Sequence, residues 1–508
     1  MHTPTNGPNV ISTLRATSKA TPKTGTRAAF AGAEGWPSTR RVLASSLAAL
    51  LSGAAIAQTM TGAPGSAPAS PAANAPTGTP AAAPRGDKPE FPKPGEGRFI
   101  QRSLPREWML RVQLTVMAAQ ARTGTGLPAP ASFQFQTVAL VWPFVLGTSN
   151  SDLKVDQVRS SLRFDAREAI GGAFAKESTP DNPRAVLLRS MADDNMYPSG
   201  VALGRWLWER PQSASTVQLF VDIPSTSWRT TYDDRAANQV PWPVGAWPEV
   251  ATSTFQPEMY INYGIDLRTG EIKPYDMKPI RDAVDRWTNK RPQDLTPARL
   301  AKLLAFQVVQ AMRVTTTSYT FNDRAIAIEG LNLQGAPNAL RSGAGSTMDV
   351  GTVLVAAMRE CGLPARLVIG YQGEEHIRDG MNVRSRRQNE RVRAWVEFCL
   401  YDEGTRTMNW VPIDYEMMKY SSSRMENFEQ PWRYFGTIEY MNMMVPFALQ
   451  AFPPTTVQSY GSPGFWGWNA TPANPAVAYQ TISFSAGRDQ VKPGDGSPTD
   501  RMQRPGGR

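Results

Sequence analysis

The sequence predicts an α+β chain in which an antiparallel β-sandwich over 100–256 precedes a second domain over 257–450, where a central helix packs on an antiparallel sheet. Three observations predict it. Between 100 and 255, runs such as "MLRVQLTVMA", "FQFQTVALVWPFV" and "STVQLFVDI" alternate and are rich in β-branched and aromatic residues, with Pro/Gly/Asn/Asp clusters between them. That is strand patterning in the style of a sandwich. From about Pro257 the period becomes helical in "LTPARLAKLLAFQVVQAMRV" (295–314). Finally, "GSTMDVGTVLVAAMRECGLPARLVIGY" (345–371) reads as one helix leading through Gly-Leu-Pro into a strand. One helix followed by several strands is the α+β pattern.

Taken in order, the first element is an export signal over 1–57. "STRRVLASSLAALLSGAAIAQ" (38–58) pairs Arg40 with Arg41, continues as a modestly apolar run and ends on Ala55-Ile56-Ala57, a small-x-small cleavage pattern. Paired arginines before a weakly apolar segment read as a twin-arginine signal. The run is too short for an ordinary membrane span, so the expected mature chain is exported, to the periplasm or beyond, with no span. An uncleaved signal would leave an N-terminal anchor. Residues 58–99 are Ala/Pro/Gly/Ser-rich and read as a linker. Trp142, Trp206, Trp208 and Trp228 are expected in the sandwich core. In the second domain, Thr296 is the expected N-cap and Pro297 opens the helix. Leu300, Leu303, Leu304, Val308 and Met312 recur at helical spacing. Ser346 and Asp349 have capping-box spacing at the next helix, while Gly362 and Pro364 supply its stop. Residues 451–508 read as an extension, with a disordered tail from about Ser485.

Charge excludes one class of partner. The formal net charge is +10, but residues 1–57 carry six Lys/Arg against one Glu and the tail from Arg488 carries five against three acids. The two ends therefore supply seven of the ten charges, and no helix carries a basic stripe, so nucleic acid is not an expected partner. With two histidines and two cysteines, His2, His376, Cys361 and Cys399, metal spacing is absent and no metal or cofactor is expected.

"GLPARLVIGY" (362–371), "RAWVEF" (393–398) and "WVPIDYE" (410–416), in this order, resemble the transglutaminase-like superfamily of papain-fold proteins. The preceding sandwich and "WRYFG" (432–436) resemble its bacterial members. The resemblance covers 257–450, and 100–256 more weakly. It implies a papain-like fold and a Cys-His-Asp triad acting on amide bonds. Laid on this chain without a gap, the family's Cys falls on Thr347, its His on Arg393 and its Asp on Asp414. The acid two residues after the Cys falls on Asp349.

Such chemistry needs a thiolate, a base that carries its proton, and an acid that orients the base. A threonine hydroxyl is a weak nucleophile without a base, and a guanidinium stays protonated and cannot be one. The expectation is an exported, inactive pseudoenzyme that binds or scaffolds peptide, protein or envelope polymer. The alternative is an active amide hydrolase or transamidase using Thr347 with an unrecognised base. Arg393, Ser346 and Thr347 are candidate ligand contacts, because a helix N-terminus beside a guanidinium attracts anions. The loop arginines Arg378, Arg384, Arg386, Arg387 and Arg391 are offset by Glu374, Glu375, Asp379 and Glu390 and read as a solvated stretch. If Thr347 and Arg393 are neighbours and their elements run parallel, Cys361 and Cys399 also approach; the alternative is two separate buried thiols.

Overall fold

The computed structural model describes residues 98–488 except 119–120, 123–127, 130–131, 177–183, 189–199, 266–270, 322–326, 374–390, 421–426, 452–458, 462–463 and 473–476. All of them belong to one compact unit, Ala54–Arg508. The export segment, the linker up to residue 97, the loop with His376 and Arg378 to Arg387, and the tail after Arg488 lie outside the described residues.

Two antiparallel sheets build the sandwich. The larger runs Tyr319–Phe321, Ile328–Leu331, Val477–Arg488, Ile100–Ala118, Thr216–Tyr232, Arg159–Phe164, Arg167–Ala173, with Ser151–Leu153 also paired to Thr216–Tyr232. The smaller runs Ser459–Gly461, Trp466–Thr471, Thr137–Val145, Val201–Trp208, Ala185–Leu188. Period-two patterning explains the packing. Along Ile100–Ala118, Trp108, Leu110, Val112, Leu114 and Val116 are buried at every second position. They share one core with Val138, Leu140, Trp142 and Phe144 of the smaller sheet. Trp142, Trp206 and Trp228 are buried as expected, whereas Trp208 is only half-buried, its ring 5.5 Å from Phe164.

The sandwich is not confined to 100–256. Two strands from the second domain, Tyr319–Phe321 and Ile328–Leu331, extend its larger sheet, and strands after residue 458 complete both sheets. The second domain is thus inserted between parts of the sandwich. Ser485–Arg488, expected to begin the tail, instead end a strand whose register sets Ser485 opposite Arg111 and Arg488 opposite Trp108. Ile482, Phe484 and Ala486 alternate into the core. The end of that strand abuts a Gly/Pro-rich run, whose composition outweighs the alternation.

The inserted domain contains α1 (Pro297–Ala311), α2 (Thr347–Glu360), β1 (Ala365–Gln372), β2 (Val392–Asp402), β3 (Thr407–Ile413), α3 (Tyr415–Tyr420) and β4 (Met444–Ala448). The sheet order is β3-β2-β1-β4, every pair antiparallel. Thr296 stands at the N-cap of α1, but its hydroxyl makes no capping hydrogen bond. Leu300, Leu304, Val308 and Met312 of the predicted stripe are buried and Leu303 is half-buried. At the end of α2, Gly362 has φ 77°, its N–H donates to Arg359 O at 2.9 Å, and Leu363 N–H donates to Met358 O at 3.0 Å. This is a Schellman stop, with Gly where a left-handed residue is required and Pro364 following.

Alternation along β2 sorts its side chains. Ala394, Val396 and Phe398 share a core with α2, whereas Trp395 lies in a second cluster with Val368, Met441 and Met444. Arg393 and Glu397 share the face of Trp395, whose indole N–H donates to Glu397 at 3.3 Å. Glu397 also receives Arg366 at 2.7 Å and the Ser149 backbone N–H at 2.9 Å. A buried charge pair therefore bolts this face to the sandwich loop at 147–150. Cys361 and Cys399 are free, buried thiols in separate clusters, which is the alternative to their conditional approach.

Candidate functional site

The start of α2 is capped from within. Ser346 Oγ accepts from Asp349 N–H at 3.2 Å, while the Asp349 carboxylate accepts from Ser346 N–H at 2.9 Å, which is the expected capping box. The same carboxylate accepts from Ser346 Oγ at 2.9 Å, Gln334 N–H at 2.9 Å and Gly335 N–H at 3.2 Å. Asp349 is fully buried. Four donors satisfy its charge, as burial of a carboxylate demands. Met348 N–H is taken by Ser318 Oγ at 2.9 Å. Two of the helix's free N–H groups are thereby spent on the protein itself. Thr347 is half-buried, and its hydroxyl makes no hydrogen bond among the described residues.

Arg393 projects from β2, and Asp414 follows the last residue of β3. The two side chains meet: Arg393 Nη2 lies 2.9 Å from Asp414 Oδ2 and 3.3 Å from Oδ1. Both oxygens face one nitrogen, so the contact is not the fork-to-fork geometry that guanidinium and carboxylate can adopt. Nη2 also lies 3.4 Å from Glu416 Oε2. Asp414 is further bound by Met417 N–H at 2.9 Å, which makes it the cap of α3, and by the Tyr440 phenol. The Tyr440 ring also lies 5.5 Å from the guanidinium carbon.

Electrostatics follow from this enclosure. Burial works against the Arg393 charge, yet Asp414, then Glu416 and Tyr440, hold it more firmly protonated than usual. Burial, reinforced by the neighbouring Asp414 charge, pushes the Tyr440 phenol up. Neither group can act as a base near neutral pH. One guanidinium faces two carboxylates, so an external anion at Arg393 would have to compete with Asp414 and Glu416.

The structure thus brings Arg393 and Asp414 together, and Ser346 with Asp349, while no hydrogen bond joins Thr347 to Arg393 or Asp414. Sequence reasoning missed Tyr440 and Glu416. Glu416 lies two residues beyond Asp414 and was within reach of a local reading, but Tyr440 is brought in from 26 residues away. It also missed Lys302 of α1, which is fully buried and donates to Asp234 at 2.7 Å, Phe428 O at 3.2 Å and Gln430 O at 3.1 Å. A lysine on an apolar helix gives no hint of its partners. No cluster of His, Cys, Asp and Glu fit to hold a metal occurs among the described residues.

Residues 297–415 match the family model described as "Transglutaminase-like superfamily", a span that includes Thr347, Arg393 and Asp414. A search of curated proteins found no match. Among solved structures, a "putative cysteine protease" from Cytophaga hutchinsonii is similar at 11% identity and a TM-score of 0.35, covering 76% of this chain and 100% of its own. A "putative protease" from Parabacteroides distasonis has 11% identity and a TM-score of 0.17, with 57% of each chain covered. Residues 297–415 are a transglutaminase-like superfamily domain.

Proposed function

We propose that the chain is an exported, catalytically inactive transglutaminase-like protein that binds or scaffolds peptide or cell-envelope material. The observation that carries this reading is Arg393, enclosed by Asp414, Glu416 and Tyr440 at the position where the family's histidine would stand. A proton relay needs a group that accepts and returns a proton; this one is kept protonated by its neighbours Asp414, Glu416 and Tyr440. Thr347 supports the same reading. Its hydroxyl has no hydrogen-bonded base among the described residues, and is left free to contact a ligand. Export rests on the Arg40-Arg41 segment.

The test compares amidase, protease and amine-incorporation activity of the full chain with Thr347→Ala. Background-level turnover in both supports a silent site. Turnover that disappears in the variant would establish the alternative, a Thr347 nucleophile with a base outside the described residues.

A further inference from the structure

Beside the Arg393–Asp414 pair, the segment after α3 curls into a cavity of about 230 Å³ lined by Pro431, Trp432, Arg433, Tyr434, Thr437, Glu439 and Tyr440. We propose that this cavity binds one neutral saccharide ring, a hexose-like unit of a glycan. The proposal rests on the reading above that the domain holds its ligand without transforming it.

Size decides how much of a ligand enters. Sites for whole drug-sized molecules run from roughly 300 to 1,000 Å³. This cavity takes one ring and leaves the rest of a polymer outside. Its lining then decides the class. Trp432 and Tyr434 are buried in its wall, with the Arg433 guanidinium carbon 4.9 Å from the Tyr434 ring centroid, and the half-buried Tyr440 ring, 6.1 Å from that of Tyr434 at 49°, is the aromatic surface left to a ligand. Such a ring suits the C–H face of a sugar, which is apolar while the sugar's edge is not. Arg433 and Glu439 are exposed, and neither has an ion-pair partner among the described residues. One offers only donors and the other only acceptors. Hydroxyl groups, which do both, satisfy the two together. A charged ligand would meet one attractive and one repulsive group. An aromatic peptide side chain would cover both charges without pairing either, which is costly.

The cavity is built and held. Tyr434 has φ 69°, a left-handed backbone that a bulky side chain rarely adopts, and such outliers gather at functional sites. Its carbonyl accepts from Asp414 N–H at 3.0 Å. Lys302 anchors the preceding stretch through Phe428 O and Gln430 O, and its ammonium lies 5.3 Å from the Trp432 ring. Little ordering is left for the ligand to impose, which favours binding. Tyr440 ties the cavity wall directly to Asp414.

Calorimetric titration of the full chain with cellotetraose and with the N-acetylglucosamine tetramer tests the proposal, alongside a tryptophan-containing dipeptide amide. At least one tetrasaccharide should bind, and Arg433→Ala and Glu439→Gln should each weaken it roughly tenfold, the loss expected for a hydrogen bond to a charged group. Both positions are exposed, so melting temperatures should not move. Absence of heat with both sugars, equal affinity in the variants, or binding of the dipeptide instead would overturn it. The Thr347→Ala assays read out separately: turnover there would remove the silent-site reading, while these titrations judge the cavity.

Discussion

Arg393 and Asp414 form a buried pair in which a single guanidinium nitrogen, Nη2, faces both carboxylate oxygens, at 2.9 and 3.3 Å. The carboxylate has two other donors, Met417 N–H and the Tyr440 phenol. Removing one partner of a buried pair costs about 3–5 kcal/mol, because the remaining charge is stranded. Here Met417 and Tyr440 remain, so Arg393→Ala should lose about 3 kcal/mol, the low end. Urea unfolding measures it. A loss below about 0.5 kcal/mol, the range of neutral surface changes, would mean that the pair does not hold this end of the sheet.

The Asp349 carboxylate should matter more than its helix-capping partner. Ser346→Ala removes one cap acceptor and should cost about 1 kcal/mol. Asp349→Ala strands the buried N–H groups of Gly335 and Ser346, each worth about 1–3 kcal/mol unsatisfied, so a loss of at least about 2 kcal/mol is expected. The double variant should cost less than the sum, since the two residues share one network. Equal costs for the two single variants would show that Asp349 is only a cap.

The two thiols predict an alkaline weakening. Burial pushes Cys361 from an ordinary 9.0 up to about 12, and pushes Cys399 up as well. In the unfolded chain both release protons near pH 9, while the folded chain retains them. The stabilising contribution is fully present below pH 9 and is lost as pH rises from 9 toward the folded values. For each thiol the slope rises from about 0.7 kcal/mol per pH unit at pH 9 toward about 1.4 above it. Between pH 9 and about 10, before tyrosines join in, Cys361→Ala/Cys399→Ala should flatten the decline, whatever it does to stability at pH 7. Identical slopes for variant and parent in chemical denaturation would contradict the burial of both thiols.

How far the sequence could be read depended on the range of the contacts. The capping box, the Schellman stop at Gly362 and the alternating faces of β2 are local, and each was legible from spacing alone. The Arg393–Asp414 pair required a motif-to-motif correspondence, because nothing within either strand points to the other. Tyr440 and the Lys302–Asp234 clamp were out of reach: they join segments whose only relation is the fold. The closing strand failed for a different reason. Period-two patterning over Val477–Arg488 is real, but its last four residues run into Gly/Pro-rich sequence, and from Ser485 on a tail reading won on composition.

That strand supplies the last prediction. Ile482 is fully buried and sits opposite both Leu114 and Ile328 in the larger sheet. It therefore bridges the first strand of the sandwich to a strand donated by the inserted domain. Ile482→Ala should cost about 2–5 kcal/mol, the range for truncating a buried aliphatic side chain where the surroundings cannot collapse. Ser485, three residues on, is exposed, and Ser485→Ala should stay within about 0.5 kcal/mol. Both variants are read by urea denaturation of the full chain. If Ile482→Ala proved as mild as Ser485→Ala, the strand would not be part of the core, and the sandwich would have to close without it.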